Sequence, residues 1–494
     1  MRLTTLLGAI GAVSPRGPVK PAELGGLAID SRQVKPGDVF FALEGTQSDG
    51  HDYVQMAADK GALAAVVSRE VPGAAVEQFV VPDTREALAL AACEFYDHPS
   101  LKFPLIGVTG TNGKTTIAFL IRQILGHEGI ICGLLGTVCN ILGPDRREPS
   151  ELTTMQAHEI QQKLALMLDY GCRSAVMEVS SHGLDQKRNY GCCFQVAVFT
   201  NLTPDHLDYH PDMEHYYRAK SLLFESLGKQ GRAVIGWDDP YGARLAKGID
   251  GPLITYGERP GSSVRIVSWR PLPVGAEVEL EVFGKRIGGP VGLLGRFNAQ
   301  NIAAAVAAGY ALGIQADSLQ RVLPILEPVP GRMEPVEAGQ PSQVLVDYAH
   351  TPDALEKALK AAREHTHGRL ICLFGCGGCR YREKRPAMGR IAVGLSDLTY
   401  ITSDNPRREK PEEIVGQIVA GAKEAGARQG KDFMVEPDRR AAIFSAVAGM
   451  QPGDTLLIAG KGHEDYQILP TGKIHFDDRE VALEALKEQG YCQS

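Results

Sequence analysis

The stretch LIGVTGTNGKTT, residues 105–116, decides how the rest of the chain is read. A short apolar run, Leu105–Val108, enters a turn punctuated by Gly110 and Gly113, and Lys114, Thr115 and Thr116 then open a helical pattern. A strand–loop–helix corner of this kind aims backbone N–H groups and a helix N-terminus at an anion. The glycines allow the tight turn, Thr111 and Asn112 complete the loop, Lys114 is placed to reach the β- and γ-phosphates of a nucleotide, and Thr115 can offer its hydroxyl to Mg²⁺. The pattern G-x-x-x-x-G-K-[ST] is met except at its first position, where Val108 stands, so the loop is a variant. A plain strand–turn–helix corner would need neither the lysine nor the paired threonines.

The alternation continues outward from this corner. From Leu105 to about Pro330, SAVMEV (174–179), VAVFTN (196–201), a helix over 214–227 and RAVIGW (232–237) imply a parallel sheet wrapped on both faces. Between Gly251 and Leu294 the chain is strand-rich with many Gly and Pro, the pattern of an antiparallel edge. The longest uncharged stretch, Phe297–Ala316, is too weakly apolar to cross a bilayer and reads as a packed helix. After LEPVPGRME (326–334), five strand–helix alternations beginning at Gln343 spell a second doubly wound region. On the N-terminal side, VFFAL (39–43), AAVVS (64–68), FVVP (79–82) and a helix over 84–96 form a smaller α/β region, joined through HPSLKFP (98–104). The run from Leu6 to Val13 superficially resembles a signal peptide and equally suits a short amphipathic first helix. The expected domains are 1–98, 99–330 and 331–494, all α/β.

Composition agrees with this division. A length of 494 residues suggests about three domains, and 44% apolar with 22% charged residues is the balance of an ordinary globular protein. With 52 basic against 59 acidic residues, the formal charge of −7 argues against a surface built for nucleic acid or anionic lipid and favours a small-molecule partner. Ten cysteines without a repeating spacing read as reduced thiols of a cytosolic protein. Cys376 and Cys379 form C-x-x-C near Cys372, but no second pair follows at zinc-ligand spacing, so these are expected to be buried or loop thiols.

A bound Mg²⁺ would need further ligands beside Thr115. Glu178 ends one strand pattern and His206 follows another, and the carboxyl ends of strands are where open α/β sheets bind ligands. On spacing alone, Glu178 could instead be an ordinary capping or surface carboxylate and PDHLDYH (204–210) a polar turn.

Further motifs accumulate in order: DSRQVKPGDVFFALEG (30–45), EVSSHGLDQKR (178–188), FTNLTPDHLDYH (199–210), GRFNAQN (295–301), PGRMEPV (330–336), VDYAHTPDALEKAL (346–359), FGCGGCR (374–380), SDNPR (403–407) and GKGHEDYQ (460–467). Together with GTNGKTT the chain resembles the Mur ligases of cell-wall synthesis, and among them the branch that adds the third amino acid. The resemblance spans all three regions. It implies a small N-terminal α/β domain for a UDP-sugar, a central P-loop-type parallel-sheet ATPase, and a C-terminal Rossmann-like domain for the incoming amino acid. It further implies a cytoplasmic, monomeric enzyme of peptidoglycan synthesis, using ATP and Mg²⁺, without nucleic acid or membrane insertion. The implied reaction joins meso-diaminopimelate to UDP-N-acetylmuramoyl-L-alanyl-D-glutamate through an acyl phosphate.

Carried over position by position, the resemblance assigns Ile29, Ser31, Thr46, Gln47 and Ser48 to the uridine end, and Thr153, Thr154, Ser180, Gln186 and Arg188 to the sugar-peptide. Asn298, Arg332 and Asp347 become nucleotide contacts that form when the C-terminal domain closes, and Lys220 the lysine that the family carbamylates. Lys114, Glu178, His206 and Lys220 are the implied catalytic set, with Thr115, Glu178, His206 and Lys220 at the metal. On spacing alone Lys220 is a solvated helix lysine, whereas a carbamate there would replace +1 by −1 beside Mg²⁺. Arg380, Asp404, Asn405, Pro406, Arg407, Gly460 and Glu464 are the implied diaminopimelate positions, with an Arg fork suited to the carboxylate that distinguishes this amino acid from lysine. DNPR alone could be a type I turn. The chain departs from the family at Met155, where a proline is usual, and at Tyr381, where an aspartate is frequent. Alternatives are a lysine-adding or D-alanyl-D-alanine-adding relative, a folylpolyglutamate-type ligase, or a silent scaffold of the same fold.

Overall fold

The structure is a computed structural model that describes residues 1–12, 22–45, 48–272 and 274–491. The chain divides into two compact units. One comprises residues 1–109, 129–198 and 218–233, the other 110–128, 199–217 and 234–494.

In the first unit, the N-terminal strands Leu27–Ala28, Val39–Phe41, Ala64–Val67 and Gln78–Val80 pair in chain order, all parallel. Val39, Phe41, Val66 and Phe79 pack there with the helix Thr84–Phe95, whose start is capped by Asp83 accepting from the Arg85 and Glu86 N–H groups. The first helix runs Leu3–Ala9, earlier than the sequence suggests, because Leu3, Leu6 and Leu7 supply the face buried in this core. The linker 98–104 contains a 3₁₀ turn, Pro99–Leu101, with Ser100 buried.

The same unit holds the strand of the opening motif, Leu105–Thr109, wholly buried as a central parallel strand should be. It pairs in parallel with Ser174–Glu178, which pairs in turn with Cys132–Leu135. An antiparallel extension, Cys139–Gly143 and Arg146–Pro149, completes that side. In sequence this extension is marked only by the turn signal Gly143-Pro144-Asp145.

In the second unit, Leu253–Gly257 pairs in parallel with Val264–Pro271, which continues into the antiparallel strands Ala276–Val282 and Lys285–Val291. The helix Phe297–Ala311 has 12 buried residues and packs on the helix Lys114–His127. It stops short of Ala316 because Gly313 turns the chain at φ +95°, after which Ala316–Val322 forms a separate helix. The C-terminal sheet has the order Glu334–Pro335, Gln343–Asp347, Thr455–Ala459, Leu370–Phe374, Leu398–Ile401, Phe433–Val435. All its strands but the first run parallel. Buried residues on its two faces form separate cores, one around Leu345, Phe374 and Met388, the other around Val346, Leu373 and Ile443. Among the described residues no helix is long and apolar enough to cross a membrane.

Candidate active site

The phosphate loop is built so tightly that two positions admit only glycine. Gly110 has φ +145° and Gly113 +88°, and a Cβ would lie 1.8 Å from the Thr200 Oγ1 at the first and 2.6 Å from the Asn301 Oδ1 at the second. Asn201 templates the turn, its carbonyl accepting from the Thr111 N–H (2.9 Å) and its Oδ1 from the Asn112 N–H (3.0 Å). The Thr200 hydroxyl donates to the Asn112 carbonyl at 2.6 Å. The Lys114 ammonium folds over the loop, donating to the carbonyls of Gly110 and Thr111 at 2.9 Å each. Thr115 and Thr116 are buried in the first turn of the helix.

Residues from the C-terminal region of the same unit reach this loop. Arg332 donates through Nη2 to the Thr115 hydroxyl (3.1 Å) and lies 4.5 Å over the Tyr348 ring. The Asn112 amide donates to the Asp353 carboxylate at 2.8 Å. Asp347 closes a nearby strand end by accepting from the Met333 and Ala349 N–H groups, 2.8 Å each; burial pushes its pKa up against the pull of Arg332. Asn298 is buried and donates to the Leu294 carbonyl, while the Asn301 amide donates to its Oδ1 at 2.7 Å. Asn298 therefore meets the loop at one remove, through Asn301. His206 sits at φ +54° with its ring edge-on to Tyr216, whose hydroxyl is 3.2 Å from the Thr111 Oγ1. Burial opposes ionisation of the adjacent Asp205, but His206, His350 and Lys384 together hold it below the usual carboxylate range.

In the first unit Glu178 is fully buried, its Oε1 accepting from the Thr137 N–H (2.8 Å) and its Oε2 from the Thr137 hydroxyl (2.9 Å). The Thr137 and Thr153 hydroxyls are 3.0 Å apart. The Thr154 hydroxyl donates to the Glu178 carbonyl (3.1 Å) and accepts from the Ser180 N–H (2.9 Å). The Ser180 hydroxyl caps the short helix Ser181–Asp185. Arg188 donates to the Thr154 carbonyl (2.7 Å) and to the Gln186 Oε1 (2.7 Å). Lys220, on the helix Met213–Glu225, is buried rather than solvated. In the N-terminal part Ser31 is buried with its hydroxyl on the Met56 Sδ, Ile29 packs on the core and Ser48 is exposed; Thr46 and Gln47 lie outside the described residues.

The loop after the strand Leu398–Ile401 is of a different kind. Arg407, at φ +56°, donates through Nη1 to the carbonyls of Gly378 (3.1 Å) and Asn405 (3.4 Å). Asn405 donates to the Glu464 Oε2 (2.8 Å) and accepts from the Ile468 N–H (2.9 Å). Lys461, fully buried, lies 3.4 Å from Glu464 and 3.9 Å from Asp404. Burial first, then Asp404, raises the pKa of Glu464. The Asp404 Oδ1 is buried without a hydrogen-bond donor, beside Gly460. Arg385 is wholly buried and grips Glu409 with two bonds (2.9 and 3.0 Å) and the Gly377 carbonyl (3.1 Å), drawing the Glu409 pKa down to about 2. Arg380 is exposed on the Cys379 carbonyl. Cys372 and Cys376 are buried and Cys379 is exposed; burial pushes the Cys376 thiol up to about 12, and its neighbour at 3.7 Å is the Met388 sulfur. Among the described residues the one group of three potential metal ligands with converging atoms, Glu44, Asp49 and His51, lies in the N-terminal part, where Arg69 already bridges Glu44 and Asp49.

Three family models match the chain in succession: the Mur ligase family catalytic domain over residues 23–96, the Mur ligase middle domain over 108–309 and the Mur ligase glutamate ligase domain over 331–462. The chain belongs to the Mur ligase family. A relative from Gloeobacter violaceus, named UDP-N-acetylmuramoyl-L-alanyl-D-glutamate--2,6-diaminopimelate ligase, is 48% identical over 99% of both chains. A Mur ligase of the same name from Geobacter metallireducens is 44% identical, also over 99% of both. A solved structure of an enzyme of that name matches with a TM-score of 0.68 at 33% identity, covering 97% of this chain and 100% of the other. For this Mur ligase, sequence reading missed Thr137, Asn301, Asp353 and Lys461. Asn301 carries a signal, three residues after Asn298 on one helix face, and Asp353 lies within VDYAHTPDALEKAL, whereas Thr137 belongs to no pattern with a chemical meaning in sequence.

Proposed function

We propose that this Mur ligase joins meso-diaminopimelate to the D-glutamate carboxylate of UDP-N-acetylmuramoyl-L-alanyl-D-glutamate in an ATP- and Mg²⁺-dependent step of peptidoglycan precursor synthesis. A carboxylate is a poor electrophile until one oxygen becomes a leaving group. Transfer of the ATP γ-phosphoryl to that oxygen gives an acyl phosphate and ADP; the amine of diaminopimelate then attacks the carbonyl, phosphate leaves, and the amine proton passes to a base. The observation that carries the reading is the pocket at residues 404–407. Arg407 offers a guanidinium already oriented by two carbonyls, while Asp404 keeps a buried, donor-less oxygen close to Lys461 and Glu464. A fork for a carboxylate next to buried acceptors for an ammonium matches the distal end of diaminopimelate, and lysine lacks the carboxylate.

Gly110, Thr111, Asn112, Gly113, Lys114, Thr115 and Thr116 hold the phosphates of ATP, with Arg332 and Asp347 beside them and Asn298 acting through Asn301. Thr153, Thr154, Ser180, Gln186 and Arg188 hold the sugar-peptide around Glu178, and Ile29, Ser31 and Thr46–Ser48 the uridine end. Arg380, Asn405, Pro406, Gly460 and Glu464 frame the amino acid with Asp404 and Arg407. The residues fit a divalent cation by the chemistry of the donors: the buried Glu178 carboxylate is a hard oxygen ligand of the kind Mg²⁺ takes. Thr115, Glu178, His206 and a carbamylated Lys220 would hold Mg²⁺, which supplies positive charge against the phosphate oxygens. We place the enzyme in the cytoplasm as a monomer.

ADP release is measured with the UDP-sugar dipeptide and either diaminopimelate or lysine, for wild type and Arg407→Ala. Strong preference for diaminopimelate in wild type, largely lost in Arg407→Ala, is expected. A wild type that prefers lysine, or a variant with unchanged preference, would refute the substrate assignment. A scaffold would release no ADP with either.

A further inference from the structure

Arg439 and Asp478 belong to none of the motifs above, yet both side chains are completely buried. The guanidinium grips the carboxylate with two bonds, Nε to Oδ1 and Nη2 to Oδ2, both 2.7 Å. Two further donors go to carbonyls, Nη1 to Ser403 (3.2 Å) and Nη2 to Ala459 (3.0 Å). Those carbonyls immediately precede Asp404 and Gly460. They lie past or at the carboxyl ends of the strands Leu398–Ile401 and Thr455–Ala459, which flank the strand Leu370–Phe374 on opposite sides.

We propose that the Arg439–Asp478 pair is a positioning device for the amino-acid pocket, setting the spacing between the Asp404 loop and Gly460 by bracing the two strand ends across the sheet. This rests on the pocket assignment made above. Cohesion alone does not account for the pair. Burying two opposite charges is commonly no better for stability than apolar residues of the same size. Arg439 also opens the helix Arg439–Ala448, where a cation opposes the helix dipole, whereas Asp478 suits the start of the helix Asp478–Glu488. What the arrangement achieves is four fixed bonds on a planar fork, reaching two backbone carbonyls that no lysine or apolar side chain could hold together. Gln467 reinforces the same segment by donating to the Asp404 carbonyl at 2.6 Å.

The test compares wild type with Arg439→Met/Asp478→Leu, which keeps volume and removes the charges, with Arg439→Lys, which keeps the charge and loses the fork, and with Arg407→Ala. KM for ATP, for the UDP-sugar dipeptide and for diaminopimelate are measured, with melting temperature alongside. The double variant is expected to melt near wild type and to raise KM for diaminopimelate roughly 10- to 100-fold, since a misplacement of about 1 Å has effects of that order, while the other two KM values hold. Arg439→Lys is expected to show the same selective rise, smaller in size, and decides the matter if the double variant does not fold. A wild-type KM for diaminopimelate, or an equal rise in all three KM values with a fallen melting temperature, overturns the positioning role. If Arg407→Ala also leaves KM for diaminopimelate unchanged, the pocket assignment itself fails, and the positioning role with it. If Arg407→Ala raises it and the Arg439 variants do not, only the positioning role fails.

Discussion

The phosphate loop and the amino-acid pocket lie in the same compact unit but are made of different materials. The turn of residues 110–113 is held mainly by backbone N–H groups, the Asn201 amide and the Thr200 hydroxyl, with charge entering only through Asp353 on Asn112 and Arg332 on Thr115. The pocket at 404–407 is held by buried charges instead: Arg385 on Glu409, Lys461 between Asp404 and Glu464, Arg439 on Asp478. A phosphate presents several equivalent oxygens, so a ring of peptide dipoles from one continuous turn can receive it. A zwitterion presents opposite charges at a set spacing, so its receptor needs opposite charges at a matching spacing. Those charges must be fixed by residues far apart in sequence.

The sharpest way to break this comparison is to remove the cation that the phosphate loop itself carries. Lys114→Ala should cost roughly 10³-fold or more in kcat/KM for ATP, measured by ADP release, since it deletes charge stabilisation where phosphoryl negative charge develops. A loss below tenfold would mean that the peptide dipoles suffice alone. Lys220→Ala should lower kcat by about 10²-fold or more if an anionic carbamate there holds the Mg²⁺ that faces the phosphate oxygens, with partial recovery on adding short carboxylic acids. Full activity in the variant would refute that role.

Arg407→Ala should raise KM for diaminopimelate by about 10- to 100-fold, the cost of leaving a charged group unpaired, with KM for ATP unchanged. Gly113→Ala sharpens the other side. The new Cβ would meet the Asn301 Oδ1 at 2.6 Å in a left-handed backbone, so a stability loss of about 1–3 kcal/mol and a higher KM for ATP are expected from denaturant melts and ADP release. The smallest effect concerns His350. Burial and the Lys384 ammonium push its pKa down to about 4, below the ordinary 6.5. The unfolded chain takes up the proton first, so the contribution of the neutral ring is complete above pH 6.5 and is lost as the pH falls toward 4. Melting temperature should therefore drop less between pH 7 and 4.5 in His350→Gln than in wild type.

These differences also explain what could be read in advance. A strand, a glycine turn and a helix are neighbours in sequence, so Leu105–Thr116 declared both its geometry and its ligand class. The alternation from Gln343 onward declared a parallel sheet for the same reason, since apolar strands and amphipathic helices have different periods. Thr137, Asp353 and the Arg439–Asp478 pair carried no such signal. Each matters only through a partner tens to hundreds of residues away, and nothing in a surface-looking Arg-Arg at 439–440 announces that the first of the two is completely buried. Spacing makes Lys220 a solvated helix lysine for the same reason: only packing shows that this lysine faces inward. The helix Phe297–Ala311 is legible as packed but not in its length, because an Ala-rich run has no polar face to mark its end and Gly313 alone does so.

Lys114 already gives two hydrogen bonds to carbonyls of its own loop. An arriving nucleotide would then exchange acceptors instead of ordering a slack chain, and the exchange would release almost no chain freedom to be recovered. Calorimetry on this protein should accordingly show a modest entropic penalty, with the heat of association reporting how far a phosphoryl oxygen outcompetes a peptide oxygen for the same ammonium.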